Sequence, residues 1–215
     1  MEKQFDSGLV WFRRDLRVDD HAALQLALRL CRRVYCGFVF DREILDPLPR
    51  TDRRVEFIRA CLAELDQTLR RLAENDQAGL IVRHGYASEE VPALAQQLGV
   101  QAVFAAHDYE PRAQARDARV RGALAAAGIA LQTCKDHVVF EGREVLTGGG
   151  TPYTVFTPYK RAWLARLQTH PVMPQATEAS PGALAARPET LRRPVPTLAE
   201  IGFAPSNLAQ LRIPT

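Results

Sequence analysis

The feature that most constrains the fold is a regular alternation of short apolar runs with helical patterns. Five runs are typical of strands, at residues 9–12, 34–40, 79–84, 102–106 and 129–134. Four helical patterns separate them, at residues 21–32, 51–72, 88–98 and 111–128. Such alternation favours βαβ units with right-handed crossovers. The sequence therefore predicts an α/β fold, an open five-stranded parallel Rossmann-like sheet with helices on both faces, followed by an irregular linker.

Polar residues and glycine mark where these helices begin and end. Asp19 and Asp20 are candidate caps for the first helix, and Thr51 or Asp52 for the second. Gly99 is placed to end the third helix.

The regular pattern ends after Cys134. A short strand is expected at 137–140, and a helix at 155–168 with one side buried through aromatic residues and leucine, namely Phe156, Tyr159, Trp163 and Leu167. Eight of the 14 prolines lie in residues 171–215, which is typical of a connection between domains. We therefore predict a core over 1–135, its completion over 136–170 and a proline-rich interdomain linker over 171–215.

Composition limits the class of protein without naming it. A net charge of +3 neither requires nor excludes nucleic acid, and all but three of the 28 basic residues are arginine. The four cysteines form no metal-binding or disulfide pattern, so buried reduced thiols are expected. The amino terminus carries no apolar signal core and no run approaches a membrane span, which predicts a cytoplasmic protein without a membrane partner.

Charged residues cluster where two predicted strands end. Arg13, Arg14 and Arg17 follow the first strand, while Asp108 and Glu110 follow the fourth. The carboxyl ends of parallel strands meet at one sheet edge, where open α/β sheets bind ligands. A polar planar ligand could lie there, with further lining by Asp41, Arg53 and Arg54. The alternative interpretations are that the arginines form a solvated basic turn and that the acids only cap a helix.

Several chemistries lack their motifs. No G-x-G-x-x-G or P-loop is present, and no serine has a hydrolase context. The histidines at 21, 84, 107, 137 and 170 have no metal-ligand spacing, so we predict no metal site. No catalytic residue is predicted.

Three motifs resemble the DNA photolyase and cryptochrome family. The stretch WFRRDLRVDDHAAL resembles the amino-terminal signature W-x-R-x-D-L-R-x-x-D-[NH]-x-A-L, and TPYTVFTPYKRAW resembles P-Y-x-V-F-T-P-[FY]-x-x-x-W. Tyr109-Glu110-Pro111, followed by Ala115-Arg116-Asp117, lies between them. The motifs occur in family order across residues 8–163.

The resemblance implies the amino-terminal α/β domain of a photolyase, which holds a light-harvesting chromophore. In that family a carboxy-terminal helical domain binds FAD and repairs UV-damaged DNA with blue light. That domain is expected to be absent from this chain, so the fragment is predicted to be inactive alone. Trp11 and Trp163 are assigned to packing within the α/β domain. Alternatives are the same domain of a cryptochrome photoreceptor and an independent nucleotide-binding module.

The resemblance also favours one chromophore class over another. Asp108-Tyr109-Glu110-Pro111 matches the Asp-x-Glu-Pro of deazaflavin-binding members, which also carry arginine at the places of Arg14 and Arg54. Folate-binding members carry Asn-Glu where this chain has Arg112 and Ala113. The expected antenna is deazaflavin or flavin-like rather than methenyltetrahydrofolate. The expected site residues are Arg14, Asp41, Arg54, Asp108 and Glu110.

Overall fold

The computed structural model describes residues 3–174, 177 and 182–211. Five strands form one sheet, β1 (Phe5–Phe12), β2 (Cys31–Asp41), β3 (Leu80–Gly85), β4 (Ala102–Ala106) and β5 (Ala130–Cys134). The strand order is β3-β2-β1-β4-β5, and every neighbouring pair is parallel. The predicted open five-stranded parallel sheet is confirmed.

Helices follow the strands, and every α-helix of the described residues except the short one after β2 was predicted. They are α1 (Ala22–Leu30), α2 (Arg42–Leu45), α3 (Arg53–Ala73), α4 (Ala87–Leu98), α5 (Pro111–Ala126) and α6 (Phe156–Thr169). Asp52 caps α3 by accepting a hydrogen bond from Arg54 N, and Gly99 ends α4 in the left-handed region. No helix in the described part of the chain is long and apolar enough to cross a membrane.

The sheet is buried on both faces. Val10 and Phe12 of β1 pack into a core with α1 and α3, while Leu9 and Trp11 pack with α4 and α5 on the opposite face. All four side chains are buried. Because successive side chains of a strand point to opposite faces, β1 contributes to both cores, and its continuous apolar run reflects this.

Gly8 lets β1 approach its neighbours closely. A Cβ atom at this position would lie 2.6 Å from the Sγ of Cys31 and 2.8 Å from a ring carbon of Phe104. Both neighbours are completely buried, so neither has free space into which to move. Glycine is therefore required at this place by packing.

We expect Gly8→Ala to lower the free energy of unfolding by about 1–3 kcal/mol, because overpacking forces neighbours off their preferred geometry. Gly122→Ala is the matched control, since Gly122 lies within α5 and an added Cβ meets open space. That change should stabilise the chain by about 0.5–1 kcal/mol. Urea unfolding followed by circular dichroism measures both, and equal effects would contradict this account of Gly8.

The turn after β1 differs from the predicted capping. His21, rather than Asp19 or Asp20, caps α1, and its Nδ1 accepts a hydrogen bond from Leu24 N at 3.0 Å. Asp15 is also buried here, and its Oδ1 accepts a hydrogen bond from Arg13 N at 2.8 Å. Burial would raise the pKa of Asp15, but His21 and that backbone N–H lower it to about 2.

For the region after β5, one expectation is wrong and another is correct only in part. Residues 137–140 form no strand, and α6 has no fully buried residue, although Tyr159, Trp163 and Leu167 of its predicted packing face are half-buried. Phe156 is 73% exposed. Trp163 makes an edge contact with Phe140, with ring centroids 5.6 Å apart. The aromatic spacing predicted the helix but could not show whether a core faces it.

Residues 182–211 pack against the α/β core, although the sequence predicted only a linker. Leu184 pairs with Val34 at the start of β2, and Ile201 and Phe203 are buried in the core cluster of α1 and α3. Arg187 is buried and donates a hydrogen bond to Leu80 O at 3.0 Å. The sequence analysis missed this packing because the apolar residues that form it are isolated among prolines and show neither helical nor strand spacing. An interdomain role for 171–215 stays a prediction.

Candidate functional site

The candidate site lies where the chain changes direction across the sheet. From β1 the chain proceeds outward to β2 and β3, then returns to β4 on the other side of β1. Such a switch point opens a crevice beyond the carboxyl ends of the two adjacent strands. The segments leaving β1 and β4 both begin at this edge. They carry the charged residues that the sequence placed there.

Arg14, Asp108 and Glu110 are brought together at this crevice. Arg14 Nη2 donates a hydrogen bond to Glu110 Oε2 and lies 3.8 Å from Asp108 Oδ1. The side chains of Arg14 and Glu110 are 56% and 62% exposed, whereas that of Asp108 is 5% exposed. The hydrogen bond to Glu110 is the main reason that the pKa of Arg14 is raised. The cluster thus presents one guanidinium and one carboxylate to solvent above a buried acid.

Arg13 and Arg116 support this cluster from below. Arg13 Nη1 lies 2.7 Å from Asp117 Oδ2, and its guanidinium carbon lies 4.8 Å from the centroid of the Trp11 ring. Arg116 lies 3.5 Å from Asp108 Oδ2 and also stacks on Trp11. The side chains of both arginines are buried, so they neutralise the acids beside them and are not available to a ligand.

Asp41 and Arg54 are not joined to this cluster by any contact among the described residues. Asp41 Oδ1 accepts hydrogen bonds from Glu43 N and Ala87 N, both at 3.2 Å, and so links the ends of β2 and β3. Its buried Oδ2 has no hydrogen-bond partner among the described residues. Arg54 is exposed and pairs with Asp52 at 2.6 Å.

Tyr109 and His107 contact Glu141, which the sequence analysis did not identify. Tyr109 donates a hydrogen bond from its hydroxyl to Glu141 Oε2 at 2.7 Å. His107 Nδ1 lies 2.8 Å from the same oxygen, and Nε2 lies 3.0 Å from Thr133 Oγ1. Glu141 lies in an irregular stretch with no motif or periodicity. No sequence signal could have found it.

These contacts shift two pKa values in opposite directions. Burial and the hydrogen bond to Glu141 raise the pKa of Tyr109 well above its ordinary value. Burial would raise the pKa of Glu141, but the hydrogen bonds from His107 and Tyr109 lower it. The phenol therefore remains a neutral donor and Glu141 an ionised acceptor at neutral pH.

A polar cleft of about 470 Å³ lies at the end of β3, beside Asp41. Arg42 stacks on Tyr86 along its wall, with 5.2 Å from the guanidinium carbon to the ring centroid. His84 and Arg50 also line it. The sequence analysis did not predict this cleft, whose lining includes residues of α2, β3, the first turn of α4 and the segment around Gly202.

The fold and this charged edge define an open parallel α/β domain with a charged crevice at its topological switch point. A family model described as DNA photolyase matches residues 8–180. The chain belongs to the DNA photolyase family, as the motifs indicated. The matched range includes β1 from Gly8 onward, the other four strands and the charged edge.

Relatives named as photolyases support the assignment. The chain is 32% identical over 197 residues to a deoxyribodipyrimidine photo-lyase of Synechococcus, covering 91% of this chain and 40% of that protein. It is 37% identical over 205 residues to one of Halobacterium salinarum, covering 91% and 41%. The chain thus spans about two fifths of these relatives. Another relative is named cryptochrome DASH.

A solved archaeal photolyase from Sulfolobus tokodaii has a similar fold. The TM-score is 0.64 at 27% identity, and the match covers 81% of this chain and 37% of that one. Together, the family match and this structure identify an amino-terminal domain of the photolyase and cryptochrome type.

We expect Glu141→Gln to lower the pKa of Tyr109 towards the ordinary tyrosine value of about 10, because it removes the negative charge beside the phenol. Titration of tyrosine ring carbons by NMR measures this, with Tyr109→Phe used to assign the signal. The control is Glu89→Gln, which alters an acid of α4 at the end of β3. An unchanged Tyr109 titration in Glu141→Gln would contradict the described contact.

Proposed function

We propose that this chain is the light-harvesting domain of a DNA photolyase. The observation that carries the proposal is the exposed Arg14–Glu110 pair above buried Asp108, at the switch point of a photolyase-family sheet. An exposed ion pair contributes little stability, on the order of 0–1 kcal/mol, so its two groups can exchange partners for a ligand. The position and polarity fit a ligand with both hydrogen-bond donors and acceptors.

The residues fit a flavin-like or deazaflavin chromophore. Such a ring system carries carbonyl acceptors and an imide N–H donor, which suit Arg14 and the carboxylates of Glu110 and Asp41. The buried Oδ2 of Asp41 has no hydrogen-bond partner among the described residues and would accept from a ligand donor. Arg54, on the first turn of α3, has an exposed guanidinium that pairs with Asp52 and is a further candidate contact for the chromophore. When bound, the chromophore would supply absorption of blue light.

The Sulfolobus photolyase supports this preference over folate. It is described as holding two FAD molecules, with a novel light-harvesting cofactor implied. At 27% identity, a flavin in that protein is consistent with a flavin-like ring in this one. Asp108-Tyr109-Glu110-Pro111 also keeps the sequence pattern expected for deazaflavin binding.

Titration of the 215-residue chain with a deazaflavin, FAD and methenyltetrahydrofolate tests the site by fluorescence. We expect one of the flavin-like ligands to bind most tightly. Arg14→Ala and Glu110→Gln should each weaken that binding by about tenfold, the loss of one charge-assisted hydrogen bond.

Arg33→Ala is the matched control, because Arg33 forms an equally exposed pair with Asp6 near the start of β1. It should leave binding unchanged. Tightest binding of the folate, or equal weakening by Arg33→Ala, would contradict the chromophore assignment.

We further propose that the longer protein repairs cyclobutane pyrimidine dimers with reduced FAD and blue light. The relatives named deoxyribodipyrimidine photo-lyase support this activity. UV-damaged DNA and a carboxy-terminal helical domain would be its partners, in the cytoplasm. The name of one relative, cryptochrome DASH, favours a photoreceptor as the second candidate. An independent nucleotide-binding module is the third.

The 215-residue chain alone should not repair a dimer-containing oligonucleotide under blue light, because α6 is the only α-helix after β5 among the described residues. The control is the product of the source gene read beyond the codon for Thr215, reconstituted with FAD. Chromatography of the oligonucleotide measures both reactions. Repair by the shorter chain would contradict the proposal, and no repair by the longer one would favour the photoreceptor.

A further inference from the structure

A second polar cluster lies beside the crevice and has no part in the proposed chromophore site. It joins the turn after β1, through Asp15 and His21, to the turn after β5, through Asp136 and His137. The side chains of Asp15 and Asp136 are 1% and 2% exposed, that of His21 is fully buried, and that of His137 is 18% exposed. Two carboxylates this deeply buried within reach of an imidazole need a compensating charge.

Each carboxylate accepts hydrogen bonds through one of its oxygens, and no hydrogen bond is described for the other oxygen. Asp15 Oδ1 accepts from Arg13 N, and Asp136 Oδ1 accepts from Ala22 N at 3.0 Å and from Arg17 at 3.0 Å. The Oδ2 atoms of both acids have no hydrogen-bond partner among the described residues, and neither does His137 Nε2. Buried polar atoms are rarely left in this state without a water molecule or ion.

The three unpartnered atoms converge. His137 Nε2 lies 3.9 Å from Asp15 Oδ2 and 4.0 Å from Asp136 Oδ2, and all three atoms lie within 4.8 Å of one another. Small side-chain rotations would bring them to the distances of about 2.0–2.2 Å from a common ion that Zn²⁺ takes with nitrogen and oxygen.

His21 supports this arrangement without being a ligand. Because its Nδ1 accepts the hydrogen bond from Leu24 N, the proton of the neutral ring is on Nε2. That nitrogen lies 3.0 Å from Asp15 Oδ2, and His21 helps to lower the pKa of this acid. It cannot coordinate a metal while protonated, but it orients the carboxylate as outer-shell groups do.

The charges facing the cluster leave it negative. Among the described residues, the structure places Arg17 against it, with Nη2 3.0 Å from Asp136 Oδ1. The two carboxylates and the one guanidinium sum to a single negative charge.

We propose that Asp15, Asp136 and His137 bind one divalent transition-metal ion of the Zn²⁺ type. Two carboxylate oxygens and an imidazole nitrogen are a donor set that suits Zn²⁺ better than Mg²⁺, which prefers oxygen and water. The ion ties the turn after β1 to the turn after β5. The sequence predicted no metal ligand because the donors are 121 and 122 positions apart and form no motif.

The test is a Zn²⁺ titration of the chelator-treated 215-residue chain against a coloured competing chelator. We expect one equivalent to bind, with a rise in Tm because the ion binds only the folded state. Co²⁺ in place of Zn²⁺ should give visible absorption bands of nitrogen and oxygen ligation. This experiment needs no chromophore and no DNA, so its outcome is independent of the proposed function.

His137→Ala is the sharpest variant, because His137 makes no hydrogen bond through Nε2 whose loss would unfold the chain. It and Asp136→Asn should each lower Zn²⁺ affinity by about tenfold or more, as loss of even an outer-shell group does. His84→Ala, at a histidine lining the cleft beside β3, is the control and should bind normally. Absence of saturable binding, or binding that His137→Ala leaves unchanged, would overturn the proposal.

Discussion

The structure depends on β1 being paired and buried on every side. It hydrogen-bonds to β2 along one edge and to β4 along the other, and both of its faces are covered by helices. Asp6 and Ser7 lie at the start of this strand, and from Gly8 to Phe12 it carries no polar side chain. The arginines that begin at residue 13 therefore appear at the first place where charge can be solvated or paired. The position of the ligand edge follows from the burial of this one strand.

The strands were predictable because burial on both faces leaves a simple signal. The predicted bounds of β4 match the structure, and the predicted bounds of β3 and β5 differ from it by at most one residue at each end. The start of β2 was missed by three residues, because α1 passes directly into the strand at Cys31 without a loop. The cap of α1 was missed because a histidine imidazole took the role that carboxylates usually take.

The site was predictable only in its position. Arg13 and Arg14 are adjacent and chemically identical, yet one stacks under the sheet edge on Trp11 and the other reaches solvent. Alternation at the end of a strand sends neighbours to opposite sides, but spacing alone does not show which side holds a partner such as Asp117. Glu141 and Asp136 were missed for a related reason. They lie in segments without regular secondary structure, where the sequence shows no hydrophobic periodicity.

The arginines at the charged edge form two kinds of ion pair that differ in burial. This difference explains how a ligand would bind there without unfolding the chain. Arg13 and Arg116 pair with Asp117 and Asp108, whose side chains are 19% and 5% exposed, and removing one partner of a largely buried pair leaves a charge without compensation. Arg14 and Glu110 form an exposed pair whose loss costs on the order of 0–1 kcal/mol. Only the second kind of pair can change partners at low cost. A ligand at this edge therefore competes with the exposed pair, while the buried pairs hold the strand ends in place.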